Sequence, residues 1–194
     1  GGGRRDVGAT CSDDGFVRLW SLGSGVLNDN RCLATFESHR QKQVVSLSAQ
    51  WDQDLLYSGS WSRSVCCHDL RSSETVVTWA NLHPKAVLRM ATTPSGKVFT
   101  TCDDGQMRVF DLRYPTARRP LAKINFSDYF PSSPIAPRIL FHCGKIVTAH
   151  LPNPFPLACW DSSSLALKSL ISRSEDSSLP SFLSSSSSSS PPPP

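Results

Sequence analysis

The sequence predicts an all-β fold built from repeated units, and three observations carry that prediction. Apolar runs are short and alternate with polar residues, turn residues separate them, and almost no window shows the 3.6-residue spacing of a helix. The stretch Cys102 to Arg113 (Cys-Asp-Asp-Gly-Gln-Met-Arg-Val-Phe-Asp-Leu-Arg) has a counterpart at Cys11 to Leu22 (Cys-Ser-Asp-Asp-Gly-Phe-Val-Arg-Leu-Trp-Ser-Leu). A weaker copy spans Gly59 to Leu70, and a worn one ends at Ala158-Cys159-Trp160-Asp161. Aligning the copies places Trp20, His68, Phe110 and Trp160 in register, separated by 48, 42 and 50 residues. A period of about 40–45 residues is the mark of an array in which each repeat is one small sheet.

The elements follow in order. Val7–Ser12 and Phe16–Trp20 read as strands joined at Asp13-Asp14-Gly15, because Asp-Gly between alternating apolar runs is a hairpin signal. Gly23-Ser24-Gly25 and Asn28-Asp29-Asn30 are turn chemistry, and Arg31–Phe36 is a third strand. Val44–Leu47 follows, then the turn Trp51 to Asp54, the hairpin Leu55–Ser60 with Ser64–Asp69, and the strand Thr75–Trp79. The next unit has strands near Ala86–Ala91, Lys97–Thr101 and Gln106–Leu112, with a turn at Pro94-Ser95-Gly96. A basic connection, Arg113 to Pro120, leads to a strand at Leu121–Asn125, and 127–137 reads as a Pro-rich loop. Arg138–His142, Lys145–His150 and Leu157–Asp161 complete the last unit, with Leu165–Leu170 as its outer strand. The prolines of 151–156 replace the tight turn there, since proline cannot donate to a ladder. Ser184 to Ser190 is unbroken serine and Pro191 to Pro194 follows, so 171–194 is expected to be a disordered Ser/Pro-rich tail behind a folded part at 1–170.

Composition narrows the function classes. The formal net charge is +4, from 20 basic and 16 acidic residues spread along the chain, which is ordinary solubility charge and no nucleic-acid footprint. Seven cysteines with no CxxC pair read as reduced thiols of a cytoplasmic or nuclear protein. No signal peptide and no membrane-length apolar stretch is visible. No Gly-rich phosphate loop is present. Asp13-Asp14 and Asp103-Asp104 are explained by the repeat better than by acid–base chemistry. Cys67 and His68 are strand neighbours whose side chains point apart, which is a poor nucleophile–base arrangement. His142, Cys143, His150 and Cys159 have no compact zinc spacing. No catalytic residue, metal, cofactor or small-molecule substrate is expected, and the chain reads as a non-enzyme.

These repeats resemble WD40 β-propellers, in which each repeat is about one four-stranded blade, and the resemblance covers about residues 7–161. Ser38-His39 stands in for the family's Gly-His before the copy ending His68-Asp69, and Leu82-His83 before the copy ending Phe110-Asp111. The last copy keeps Trp160-Asp161 but has no His before Arg138. The resemblance implies a network joining that His, a strand hydroxyl, the turn Asp and the Trp. Its members here are Ser12, Asp14 and Trp20 in the first copy, and His39 in the second, where Ser62 replaces the Asp and His68 the Trp. His83, Asp104 and Phe110 follow in the third, and Trp160 in the fourth. The reading is an incomplete propeller: one blade without its innermost strand and about three fuller ones, with the missing blades upstream. Four incomplete blades would leave two unpaired edges.

In this family partners usually dock on the end formed by the loops before the inner strands and the tight turns between the second and third strands. By position that end includes Asp13, Arg40, Trp61, Arg63, Lys85 and Asp103. Trp61 is the favoured anchor, because an exposed aromatic beside an Arg is hot-spot chemistry. The function expected is therefore a protein-interaction scaffold without catalysis. A narrower version is the substrate-recruiting part of an F-box/WD-repeat ubiquitin ligase adaptor. A different class, RNA binding through the basic Arg113–Arg119 loop, predicts steep salt dependence.

Overall fold

The computed structural model describes residues 7–22, 31–39, 41–111, 113, 119–130, 137–150 and 157–171. These residues form four antiparallel sheets that follow one another along the chain. The first has three strands, β1 (Val7–Cys11), β2 (Phe16–Ser21) and β3 (Cys32–Glu37). The second has β4 (Val44–Gln50), β5 (Leu55–Ser60), β6 (Val65–Asp69) and β7 (Glu74–Trp79). The third has β8 (Val87–Thr92), β9 (Lys97–Cys102), β10 (Gln106–Asp111) and β11 (Ala122–Asn125). The fourth has β12 (Arg138–His142), β13 (Lys145–Ala149), β14 (Leu157–Asp161) and β15 (Leu167–Ile171). Each is a plain meander in chain order.

The strand pattern expected from the sequence is present, including the three-stranded opening sheet, and boundaries move by two residues at most at every strand end but one, the far end of β4. Two differences have local causes. Phe126–Asp128 is a short 3₁₀ turn where the sequence reads as the start of a loop; Asn125 caps it by accepting from the Ser127 N–H. The turn buries Phe126 and places Phe130 in the core. Strand β15 also reaches Ile171, one residue past the boundary set for the tail. The remaining tail, the basic loop at 114–118 and the proline loop at 151–156 lie outside the described residues.

The core lies between successive sheets. Alternation sends one set of side chains from each strand to each face. Val17, Leu19 and Phe36 meet Val44 and Leu56 between sheets one and two. Tyr57, Val65, Cys67 and Trp79 meet Val87, Met90, Val98 and Phe110 between sheets two and three. Phe99, Met107, Val109 and Ile124 meet Ile146, Ala158 and Trp160 between sheets three and four. In each junction the third strand of the following sheet supplies the large ring at the repeat position. His68, Phe110 and Trp160 are all 0% exposed, while Trp20, in the first sheet, is only half-buried. Each buried aromatic removes about 150–250 Å² from water, so these rings dominate the junction energetics.

Candidate interaction face

One end of the four sheets is laced by hydrogen bonds, some closing the loops within a sheet and some passing from one sheet to the next. The Val44 N–H donates to the Ser12 carbonyl (3.2 Å), and the Trp61 N–H donates to the Gln43 carbonyl (3.0 Å). The His83 N–H reaches the Arg63 carbonyl (3.4 Å), and the Asp103 N–H reaches the Ala86 carbonyl (3.1 Å). The Thr101 hydroxyl then donates to the Pro137 carbonyl (3.3 Å), which carries the series to the fourth sheet. Main-chain groups make most of these bonds, so the loops are positioned whatever side chains they display.

The turn at Asp13-Asp14-Gly15 shows how closely the loops meet. Gly15 has φ +89, and a Cβ built on it would lie 2.6 Å from the Gln41 Cα. Only glycine satisfies both the left-handed backbone and the contact. Gly105 occupies the same turn position in the third copy with φ 75. In the second copy that position is Arg63, which adopts φ 63 without being glycine. A long side chain held in a conformation glycine would take more easily is the kind of local strain that collects at functional sites.

The display residues fall on this end. Trp61 is 55% exposed beside Arg63, with the exposed Gln41 and Lys42 on the loop that accepts its backbone. Lys85 and Asp103 lie together, with Lys85 Nζ 3.9 Å from the Asp103 carboxylate and 3.4 Å from its carbonyl. Asp13 is exposed at the neighbouring turn. The structure thus brings Asp13, Trp61, Arg63, Lys85 and Asp103 onto one laced surface; Arg40 lies outside the described residues.

Beneath the surface, each sheet solves the same hydrogen-bonding problem differently. In the first, the Trp20 indole N–H donates to the Thr10 hydroxyl (2.8 Å). Ser12 is not that acceptor: its hydroxyl receives the Asp14 N–H at 3.4 Å, because it sits at the turn, four residues beyond Gly8, which lies opposite Trp20. Asp14 accepts from the Phe16 N–H and pairs with Arg18 at 2.8 Å, and those bonds hold its carboxyl below the usual range.

In the second sheet, His39 Nε2 and His68 Nε2 each lie 2.7 Å from the one Ser58 hydroxyl. His39 Nδ1 continues to Ser64 (3.0 Å), whose hydroxyl meets that of Ser62. His68 Nδ1 continues to Thr75 (3.0 Å), which meets Ser38 (2.9 Å). Ser58 carries one proton, so it accepts from one imidazole and donates to the other, and both rings are neutral. Burial pushes His39 down to about 4; burial and the neighbouring His39 push His68 down to about 3. The Ser62–Ser64 pair replaces the turn Asp without burying a charge.

In the third sheet Asp104 and His83 do not meet, which departs from the implied network. Arg108 lies between them, forked onto Asp104 and 3.4 Å from His83 Nδ1. The guanidinium has only donors, so Nδ1 is the acceptor and His83 Nε2–H faces the Thr100 hydroxyl (3.0 Å). Burial, then Arg108, pushes His83 down to about 4. Burial alone would raise the Asp104 carboxyl, but the Arg108 fork outweighs it and the net shift is downward. Phe110 fills the ring position and stacks edge-on to His83, with centroids 5.4 Å apart.

In the fourth sheet the Trp160 N–H donates to the Thr148 hydroxyl (2.9 Å), which also lies 2.8 Å from His150 Nε2. The missing histidine is therefore supplied from the end of β13 instead of from ahead of β12. Phe130 stacks on His150 at 3.8 Å. His150, considered above among metal-ligand types, is a packing residue, and no metal-binding cluster occurs among the described residues.

Sequence reasoning missed Thr10, Arg108 and the role of His150. The first two carried a signal: Asp14–Arg18 and Asp104–Arg108 share one spacing, and Thr10, Ser58 and Thr100 each precede the ring residue by ten positions.

Comparison with known proteins agrees with this architecture. The family model described as "WD domain, G-beta repeat" matches residues 30–69 and 75–111. A ribosome biogenesis protein YTM1 of Laccaria bicolor is 32% identical over 118 residues, covering 58% of this chain and 25% of that protein. Coronin-2A of Bos taurus is 25% identical over 171 residues, covering 82% of this chain and 31% of that protein. The chain thus spans about a quarter to a third of the length of the curated relatives it matches. A chain in a solved structure titled "Crystal Structure of Mitotic Checkpoint Complex" superposes with TM-score 0.63 at 17% identity, covering 84% of this chain and 47% of that one, a likeness of fold. None of these matches supports the narrower expectation of an F-box/WD-repeat adaptor. With two such matches in register and four meander sheets stacked face to face, the described residues have the architecture of successive blades of a WD40-type β-propeller.

Proposed function

We propose that this chain is a non-catalytic interaction scaffold that binds a protein partner through the laced end of its blades, with Trp61 and Arg63 as the anchor. WD40 propellers are in general protein-interaction scaffolds, and the relatives' names describe no catalytic activity. The observation that carries the reading is Trp61: a large aromatic, 55% exposed, on a turn whose backbone is tied to the Gln43 loop. Holding an aromatic rigidly in water before binding lowers the ordering cost on association. Arg63 and Lys42 flank it, and the Lys85–Asp103 pair forms the next part of the rim. Below the surface the polar clusters of the second and third sheets are hydrogen-bonded systems of neutral imidazoles and a paired carboxylate, which supports reading them as a support structure and not an acid–base machine.

The test is a comparative affinity purification with quantitative mass spectrometry. Wild type, a Trp61→Ala/Arg63→Glu double variant and a Trp51→Ala control on the opposite end serve as baits. Proteins retained by wild type and control fall at least about tenfold with the double variant, as expected when a hot spot of about 2 kcal/mol or more is removed. Equal retention by all three baits would remove the assignment.

A further inference from the structure

The exposed pair Cys143 and His142 takes no part in the laced end. It sits in the turn between β12 and β13, closed by Cys143 (φ 46) and Gly144 (φ 74). That turn is at the opposite end of the blades from Trp61, because successive antiparallel connections alternate ends. Cys143 Sγ lies 3.2 Å from His142 Nε2. The turn is fixed by Ser162, whose N–H (3.1 Å) and hydroxyl (2.6 Å) both donate to the Gly144 carbonyl.

The other cysteines set the contrast. All seven are free. Cys66, Cys67 and Cys102 are buried, and burial pushes the first two up to about 11 and Cys102 upward. Cys11 is half-buried and raised mainly by burial, and Cys159 is half-buried. Cys32 is the second exposed thiol, but it donates to the Ala34 carbonyl at 3.4 Å. A carbonyl cannot remove a proton. An imidazole nitrogen can take one, and the thiolate is the nucleophile. The two exposed thiols thus differ in the one neighbour that decides reactivity.

We propose that Cys143, with His142 as its base, is a thiol-modification site that forms a mixed disulfide with a small-molecule disulfide of the oxidised-glutathione class. The Cys143 thiol proton passes to His142 Nε2. The thiolate attacks one sulfur of the disulfide, a new S–S bond forms at Sγ and the old one breaks. The departing thiolate takes the proton from the imidazolium and leaves as a thiol, so the Cys143 sulfur is oxidised from the thiol to the disulfide level while the departing sulfur is reduced from the disulfide to the thiol level. The exposed Lys145, two residues on, offers a cation to a carboxylate of the adduct. This assignment does not depend on the Trp61 face.

Site-resolved alkylation of the native chain by iodoacetamide at neutral pH, followed by peptide mass spectrometry, tests it, with oxidised glutathione as the second probe. Cys143 reacts at least about tenfold faster than Cys32, and His142→Gln brings it to within about twofold of Cys32, as loss of a positioned base requires. Wild type gains one glutathionyl group by intact mass, and Cys143→Ser gains none. Both side chains are exposed, so circular dichroism of the variants matches wild type. Equal rates at Cys143 and Cys32, or an unchanged rate in His142→Gln, overturns the proposal.

Discussion

Acid should unfold this chain through its buried imidazoles, in a pH window distinct from that of its carboxylates. His39, His68 and His83 are held neutral, at about 4, 3 and 4, chiefly by burial. In the unfolded chain each titrates near 6.5, so the unfolded state binds more protons across the interval between. A depressed histidine contributes stability that is fully present above 6.5 and is lost as pH falls towards the folded value. At pH 5 each such histidine costs about 2 kcal/mol relative to pH 8, from RT ln(1 + 10^1.5). His39 and His68 share Ser58, so the three together amount to about 4–6 kcal/mol, a large part of the 5–15 kcal/mol typical of a domain. Asp14, Asp104 and Asp111 are shifted downward, so their contribution is present above about 4 and is lost only below it. Urea unfolding followed by tryptophan fluorescence at half-unit steps from pH 8 to pH 4 measures this. With His150, which burial also pushes down to about 4, four imidazoles contribute, and the midpoint falls by about 3–4 M between pH 7 and pH 5, given a slope of about 2 kcal/mol/M. His83→Asn is less stable at pH 8 but loses about a quarter less over the interval. A midpoint that is flat from pH 8 to pH 5 and falls only below pH 4 would refute the reasoning.

Two further perturbations probe the junctions. Gly59→Ala places a Cβ 2.7 Å from the Met90 sulfur and 2.8 Å from Val87 Cγ1, wedging sheets two and three apart; thermal melting should report a loss of about 1–3 kcal/mol, and an unchanged melt would mean that the junction yields. Trp160→Phe removes the indole N–H that Thr148 accepts and part of a fully buried ring, so a loss of about 1–3 kcal/mol is expected from urea unfolding. Trp20→Phe, at the half-buried counterpart, should cost less than half as much.

Much of the fold was legible because its signals are local. Alternating strands and a ring at a fixed offset mark three of the four sheets, Asp-Gly turns mark two of those, and the Trp-Asp pair marks the last. The supporting network was less legible because its members are interchangeable. Ser62 and Ser64 replace a carboxylate, Arg108 intervenes between Asp104 and His83, and His150 arrives from the wrong side of its sheet. Each substitution fills the same buried space and makes a hydrogen bond there, although His150 leaves its Nδ1 without a partner, and a residue-type pattern cannot register this. The family model matches residues 30–69 and 75–111, and the fourth sheet beyond them keeps Trp160 and Asp161 without the leading histidine. The candidate face was readable as positions. Its rigidity was not, because main-chain groups supply it, and those carry no sequence signature.

That main-chain lacing separates two jobs that one loop usually has to combine. At Trp61 and Asp103 the amide holds the frame, while the Trp61 side chain projects into solvent and that of Asp103 adds only an exposed pairing with Lys85. A substitution at either position changes what the surface recognises without changing where the surface is. The end of the propeller is therefore a keyboard with fixed keys, on which specificity can be rewritten one residue at a time. Gly15 is the exception: there the close approach to Gln41 makes backbone and side-chain identity inseparable.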